Sequence, residues 1–344
     1  MVVGSDRLGV SRRRFVQGTG VAGLGLLAGC GRLPWQSEAP AAKVPRVGFI
    51  SIGSNPDASD GASTVPEDLR RGLREIGYSD GRNVVVEWRY ADGQPDRLNE
   101  LAAELVRLPV DVLVAWATAL PAAGAATSTI PIVGLSADPV RAGLAASYAR
   151  PGGNVTGIAN MQVQLNAKRL ELLRDATPGL ARVGVLWTPY LPGRGRDYDE
   201  LRESAATLGL ELQSLAVNVA GDLDSAIGTA GAAGARGLLT IDNFLLTPNA
   251  GHIAELAKQH QLTSIAVTRP YPAAGVLMSY GANAAAIGRR VAEYVDKILN
   301  GAKPADLPVE QPTTFDFVIN LKSAQALGLT IPQHVLLQAT EIIQ

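Results

Sequence analysis

The stretch Arg46-Val47-Gly48-Phe49-Ile50-Ser51 returns later in the chain as Arg182-Val183-Gly184-Val185-Leu186-Trp187. Each is a short apolar run of the kind that forms a strand buried on both faces. The echo continues on both sides. Leu69 to Gly77 (LRRGLREIG) corresponds to Leu201 to Gly209 (LRESAATLG), and Asp111-Val-Leu-Val to Arg236-Gly-Leu-Leu. Ile130-Pro-Ile-Val corresponds to Ser264-Ile-Ala-Val, and Asn154-Val-Thr-Gly-Ile to Gly275-Val-Leu-Met-Ser. The offset stays near about 120–136 residues, which marks duplication of a whole domain rather than a short solenoid unit.

Within the first copy, β-rich runs alternate with helical periodicity. Val47–Ser51, Val84–Trp88, Val110–Trp116 and Ile130–Leu135 read as strands. Glu67–Gly77, Arg97–Leu108 and Pro121–Ser128 read as helices, with Leu98, Leu101, Leu105 and Leu108 along one face of the second. The βαβαβαβ order predicts an α/β fold: two Rossmann-like lobes, each a parallel sheet flanked by helices, hinged around a central cleft. Residues 46–155 plus 282–310 are expected to form the N-terminal lobe, and 156–281 plus 311–344 the C-terminal lobe. Crossovers are expected near Gly152–Gly157 and Tyr280–Asn283. The helical pattern Ala284–Leu299 returns to the first lobe, and Phe315–Asn320 with Leu321–Leu327 adds one more strand and helix.

The 344 residues suffice for two domains. A net charge of −1 and 5% aromatic content lack the basic excess and stacking platforms of a nucleic-acid surface. The single cysteine excludes an internal disulfide and any multi-cysteine metal site.

That cysteine, Cys30, closes the stretch SRRRFVQGTGVAGLGLLAGC (residues 11–30). Gly18, Gly20 and Gly23 match the dinucleotide fingerprint, but three consecutive arginines precede them where a buried strand is required. The alternative is an export signal: a basic start, an apolar run and small residues before a cleavage point. Ser-Arg-Arg-Arg-Phe-Val resembles a twin-arginine signal, and Leu-Ala-Gly-Cys resembles a lipobox whose cysteine is lipidated. Residues 1–30 are thus expected to be a signal, 31–45 a flexible tether, and Cys30 a membrane anchor.

No nucleophile elbow, phosphate loop or H-E-x-x-H motif occurs. The three histidines, His252, His260 and His334, do not share a metal-binding spacing. No catalytic residue, cofactor or metal is therefore expected.

The informative positions follow the strands, where ligands of such sheets bind. They are Ser54 and Asn55 after the first strand, Trp116 and Thr118 after the third, and Asp138 after the fourth. In the second copy they are Thr188 and Tyr190, Asp242, and Tyr280. Hydroxyls and helix starts suit a carboxylate, Asp138 or Asp242 an ammonium, and Trp116, Trp187, Tyr190 or Phe244 a side chain. Together they describe a site for a zwitterionic small molecule. Helix capping is an equal alternative for the two aspartates, and core packing the stronger one for the aromatics.

Several stretches resemble the ABC transporter substrate-binding proteins of the tryptophan/tyrosine type. They include GLREIGY (72–78), EWRYADGQPDRL (87–98), ARPGGNVTG (149–157), LMSYG (277–281) and GAKPADLPVEQP (301–312). The resemblance runs from about Arg46 to the C-terminus. It implies a type I periplasmic-binding-protein fold, a bacterial lipoprotein, and a receptor delivering an amino acid or similar solute to permease and ATPase subunits. The specificity loops depart from the family pattern: Trp116-Ala-Thr-Ala-Leu-Pro replaces Gly-Thr-Pro-Ala-Ala, and Thr188-Pro189 replaces Asn-Pro. The expected protein is a monomeric, exported, lipid-anchored solute receptor without enzymatic activity. A ligand sensor reporting to a membrane signalling partner and a cleft enzyme are the alternatives.

Overall fold

The computed structural model describes residues 43–55, 65–135, 138–159, 161–189, 194–241 and 244–344. The expected signal peptide, Cys30 and nearly all of the tether lie outside these residues. Residues 44–344 form one compact unit.

The repeat in the sequence is a repeat in space. In the first lobe, strands β1 (Arg46–Ser51), β2 (Val85–Tyr90), β3 (Val112–Trp116), β4 (Ile132–Leu135) and β5 (Val155–Ile158) form a parallel sheet in the order β2-β1-β3-β4-β5. In the second, β6 (Arg182–Trp187), β7 (Glu211–Ala216), β8 (Gly237–Thr240), β9 (Thr263–Ala266) and β10 (Met278–Ala282) run in the matching order β7-β6-β8-β9-β10. The two quoted hexapeptides are β1 and β6, each interior to its sheet. The second sheet is extended by β11 (Phe315–Asn320), antiparallel to β10, and β12 (Glu341–Ile343).

Helices cover both faces of each sheet. Helix α1 (Val65–Glu75) carries acids in its first turn and stops at Gly77, whose φ of 94° suits glycine. Helices α2 (Arg97–Arg107) and α3 (Leu120–Ala126) bury Leu98, Leu101, Leu105 and Leu120 against the opposite face. In the second lobe, α5 (Arg194–Thr207) lies on one face, with α6 (Leu223–Ala232), α7 (Ala250–Gln259) and α8 (Pro270–Ala273) on the other. Helices α10 (Leu321–Ala326) and α11 (Gln333–Leu336) lie between β11 and β12.

The remaining two helices are exchanged between lobes. Helix α4 (Gln162–Ala176) follows β5 but packs on β8, β9 and β10 of the second sheet. Helix α9 (Ala284–Leu299) follows β10 but packs on α1, β3, β4 and β5 of the first. A third crossing leaves Glu310 and enters β11. The crossings are tied together: Ala159 N–H donates to the Glu310 carbonyl (2.8 Å), and Asn283 N–H to that of Thr314 (3.0 Å). The Asn283 side chain accepts the Ala286 N–H at the start of α9 (2.7 Å) and donates to the Asp316 carboxylate in β11.

The lobe boundary and several strand bounds change. The N-terminal lobe continues past residue 155, because β5 through Ile158 belongs to the first sheet. The glycine there had marked a crossover. Its role is close approach: a Cβ on Gly157 would sit 2.6 Å from the Gly134 nitrogen. The fourth strand begins at Ile132 rather than Ile130, because the Thr127 hydroxyl accepts the N–H groups of Thr129 and Ile130 and holds a turn.

Candidate ligand site between the lobes

Parallel strands place all their C-terminal ends along one edge of a sheet, and two contacts show that the two edges face each other. The Phe244 ring, after β8, packs against the first-lobe core beside Gly93, where a Cβ would lie 3.0 Å from Phe244 Cε2. Arg141, in the turn after β4, reaches Asp197 and Glu200 on α5 of the second lobe.

On the first lobe, the buried Ser51 hydroxyl accepts the Gly53 N–H (3.0 Å), and Gly93 N–H bonds the Ile52 carbonyl (2.8 Å). This shapes the loop that presents the exposed Ser54 and Asn55. After β3 the backbone turns abruptly. Ala117 has φ 46°, a left-handed conformation costly for a residue with a Cβ. The next residue, Thr118, holds its Oγ1 buried with no hydrogen-bond partner among the described residues. Trp116 is half-buried and packs with Trp88 and Tyr90 against the core beneath α1 and α9. The Trp88 and Tyr90 rings stack at 6.4 Å.

Asp138 is engaged within its own turn. One oxygen accepts the N–H groups of Val140 (3.1 Å) and Arg141 (3.0 Å), and the other accepts the Tyr148 hydroxyl (2.7 Å). That bond is the main reason the Tyr148 hydroxyl is pushed up to about 12. These bonds fold the Asp138 side chain into the turn that follows β4.

On the second lobe, Thr188 is buried at the end of β6. Trp187 stacks on Tyr198 at 4.9 Å and donates its indole N–H to Ser214 (2.8 Å), so it serves packing. Tyr280 stacks on Phe315 at 6.1 Å. Tyr190 and Asp242 lie outside the described residues. Arg269, at the rim, makes a two-bond pair with Glu341 of β12 (2.7 and 2.7 Å). Among the described residues no group of His, Cys, Asp or Glu is placed to hold a metal ion. No helix among them is long and apolar enough to cross a membrane.

A polar cluster on α4 escaped the sequence reading. Arg169 is fully buried and donates to the Tyr280 carbonyl (2.6 Å) and the Gln162 side chain (2.8 Å), with Asn166 also accepting. It ties the exchanged helix to the middle of β10. A signal was present: Gln162, Asn166 and Arg169 share a helical stripe with Leu172, Leu173 and Ala176, so polar groups occupy an inward face.

Two α/β lobes joined by three crossings and facing each other through their ligand-bearing edges define a hinged solute receptor. The family model for ABC transporter substrate binding proteins matches residues 58–343, and the chain belongs to that family. A tyrosine-binding protein of Clostridioides difficile (strain R20291) is 24% identical over 320 residues, covering 90% of both chains. A conserved domain protein from Vibrio cholerae O1 biovar El Tor is 30% identical with a TM-score of 0.78, covering 87% of this chain and 100% of that one. An ABC domain from Streptococcus pneumoniae in complex with L-Trp is 25% identical with a TM-score of 0.76, covering 87% and 99%. The fold is that of the type I periplasmic binding proteins, and the protein is an extracytoplasmic solute-binding component of an ABC transporter.

Proposed function

We propose that the receptor closes on a free amino acid, with its carboxylate toward the Thr118 loop and its ammonium toward Asp242. The observation that carries this is Thr118 itself. Its Oγ1 is buried without a partner among the described residues, beside the left-handed Ala117. An unmet buried hydroxyl costs about 1–3 kcal/mol, which a ligand oxygen recovers. Ser54, Asn55 and Thr188 supply further polar contacts, while Trp116, Tyr190 and Tyr280 flank the side chain. Asp138 is left to its turn. The tyrosine- and L-Trp-binding relatives support an aromatic or large apolar amino acid. In this reading the protein binds its solute without turning it over. It acts as a monomer anchored through lipidated Cys30 and hands the solute to permease and ATPase subunits.

Calorimetric titration with the free amino acids tests the ligand class. L-tryptophan, L-tyrosine or a similar amino acid should bind saturably and be recovered unchanged. If no amino acid binds while another solute does, the proposal fails. For the anchor, Cys30→Ser should abolish lipid labelling and release the protein from membranes; retained labelling would refute it.

A further inference from the structure

We propose that Arg141 is a clasp that holds the two lobes closed, and that Asp138 is the residue that positions it. The proposal rests on the reading that the lobes close on a ligand. Arg141 belongs to the first lobe and its partners to the second. Its guanidinium grips Glu200 with two bonds (2.9 and 3.2 Å) and Asp197 with a third (2.9 Å). None of these residues lies on a crossing, so the bonds exist only while the cleft is shut. An interaction present in one of two states shifts their equilibrium by its full free energy.

The clasp is built rather than incidental. A two-pronged arginine–carboxylate pair is the strong form of a charged hydrogen bond. Glu200 is also held by Arg196 (3.0 Å), which fixes its orientation on α5. The bond from Arg141, then its charge, draws the Glu200 carboxyl below its ordinary range despite the opposing cost of burial. On the other side, Asp138 accepts the backbone N–H of Arg141 and is itself held by Tyr148. Asp138 thus sets the turn from which Arg141 projects. The charged and titratable groups around the guanidinium are Asp138 and Tyr148 from its own turn, and Asp197, Glu200 and Arg196 from α5. Both ends of the clasp are continuous in sequence with the strand-end stretches after β4 and β6, where ligand contacts are expected.

The clasp should make closure sensitive to salt, because its side chains keep 30%, 17% and 32% of their surface exposed. The test uses the full chain carrying Cys30→Ser, with spin labels at Glu100→Cys and Glu255→Cys on exposed positions of the two lobes. Without ligand, Arg141→Gln should lower the closed-to-open ratio by about two- to fivefold, the upper part of the range for an exposed ion pair. Raising salt from about 0.05 to about 0.5 M should lower the wild-type ratio and leave the variant unmoved. Arg141→Glu combined with Asp197→Arg and Glu200→Arg should restore closure. Asp138→Ala should loosen the clasp, while Asp138→Asn, which keeps the accepting oxygen, should retain it. An unchanged distance distribution in Arg141→Gln, or no rescue by the charge swap, overturns the proposal. These measurements need no ligand, so their failure is distinguishable from failure of the amino-acid reading. In a second arm, L-tryptophan or L-tyrosine, whichever binds, should leave Arg141→Gln faster than wild type; an equal off-rate counts against the clasp.

Discussion

Gly288→Ala should destabilise the protein although alanine is the better helix former. Helices α1 and α9 cross where Gly72 and Gly288 face each other. A Cβ on Gly288 would lie 2.5 Å from the Asp68 carbonyl oxygen and 2.6 Å from its carbon. One on Gly72 would lie 2.7 Å from the Gly288 oxygen. Ordinary contact begins near 3.4 Å, so the helices must part by roughly an ångström. The obstacle is backbone, which cannot rotate away. Alanine contributes about 1 kcal/mol through helix propensity. Overpacking costs about 1–3 kcal/mol. Parting the helices also loosens Leu69, Leu73, Ile287 and Val291, all buried beneath the crossing. That further loss tips the balance to about 1–2 kcal/mol of net destabilisation. The melting temperature should fall by about 2–3 °C, read by calorimetry at fixed protein concentration. One separation accommodates both methyl groups, so Gly72→Ala with Gly288→Ala should cost less than the sum of the singles. An unchanged or raised melting temperature for Gly288→Ala would refute the close-crossing argument.

Other perturbations address the site and the acid limb. Thr118→Val removes a hydroxyl with no hydrogen-bond partner among the described residues, so amino-acid affinity should fall at least about fivefold while the stability of the ligand-free protein stays level or rises; equal affinity would detach Thr118 from the ligand. Asp138→Asn should change affinity less than about twofold if Asp138 only shapes its turn, whereas loss of an ammonium partner would cost about tenfold or more. Glu310 is held below its ordinary 4.5, first by its bond to Arg290. A depressed carboxylate stabilises the fold above its unfolded value, and that contribution disappears as pH falls through the folded value. The melting temperature should therefore decline below pH 4.5, and less steeply in Glu310→Gln; parallel curves would show that the pair carries none of the acid sensitivity.

The duplication was legible because buried parallel strands leave an unmistakable apolar signature, and β1 and β6 open on the same Arg-Val-Gly and continue with large apolar residues. Helix α9 was equally plain: Ala284–Leu299 has clean periodicity, and Asn283 supplies the cap. The exact end of the first lobe was not, because a glycine in a crossover and a glycine in a tight strand pair look alike in one dimension. At the site, local chemistry could propose Asp138 for a ligand or a turn, and its three bonds within its own segment could not be read from the sequence. Arg169 was hidden for the opposite reason. A charged residue in a helix suggests solvent, and its burial depends on carbonyls from Tyr280, more than a hundred positions away.

The exchange of α4 and α9 has a consequence for how the molecule is made. As the chain emerges, the first sheet is complete at Ile158, but the helix that covers Val47, Phe49, Val112, Val114, Val133 and Leu135 is not yet synthesised. It follows only after the second sheet has run through β10. Neither half can finish before the other is largely present, so the lobes should mature as one event rather than in series. For the same reason, a gene split after Ile158 should yield two sticky fragments in place of two autonomous domains.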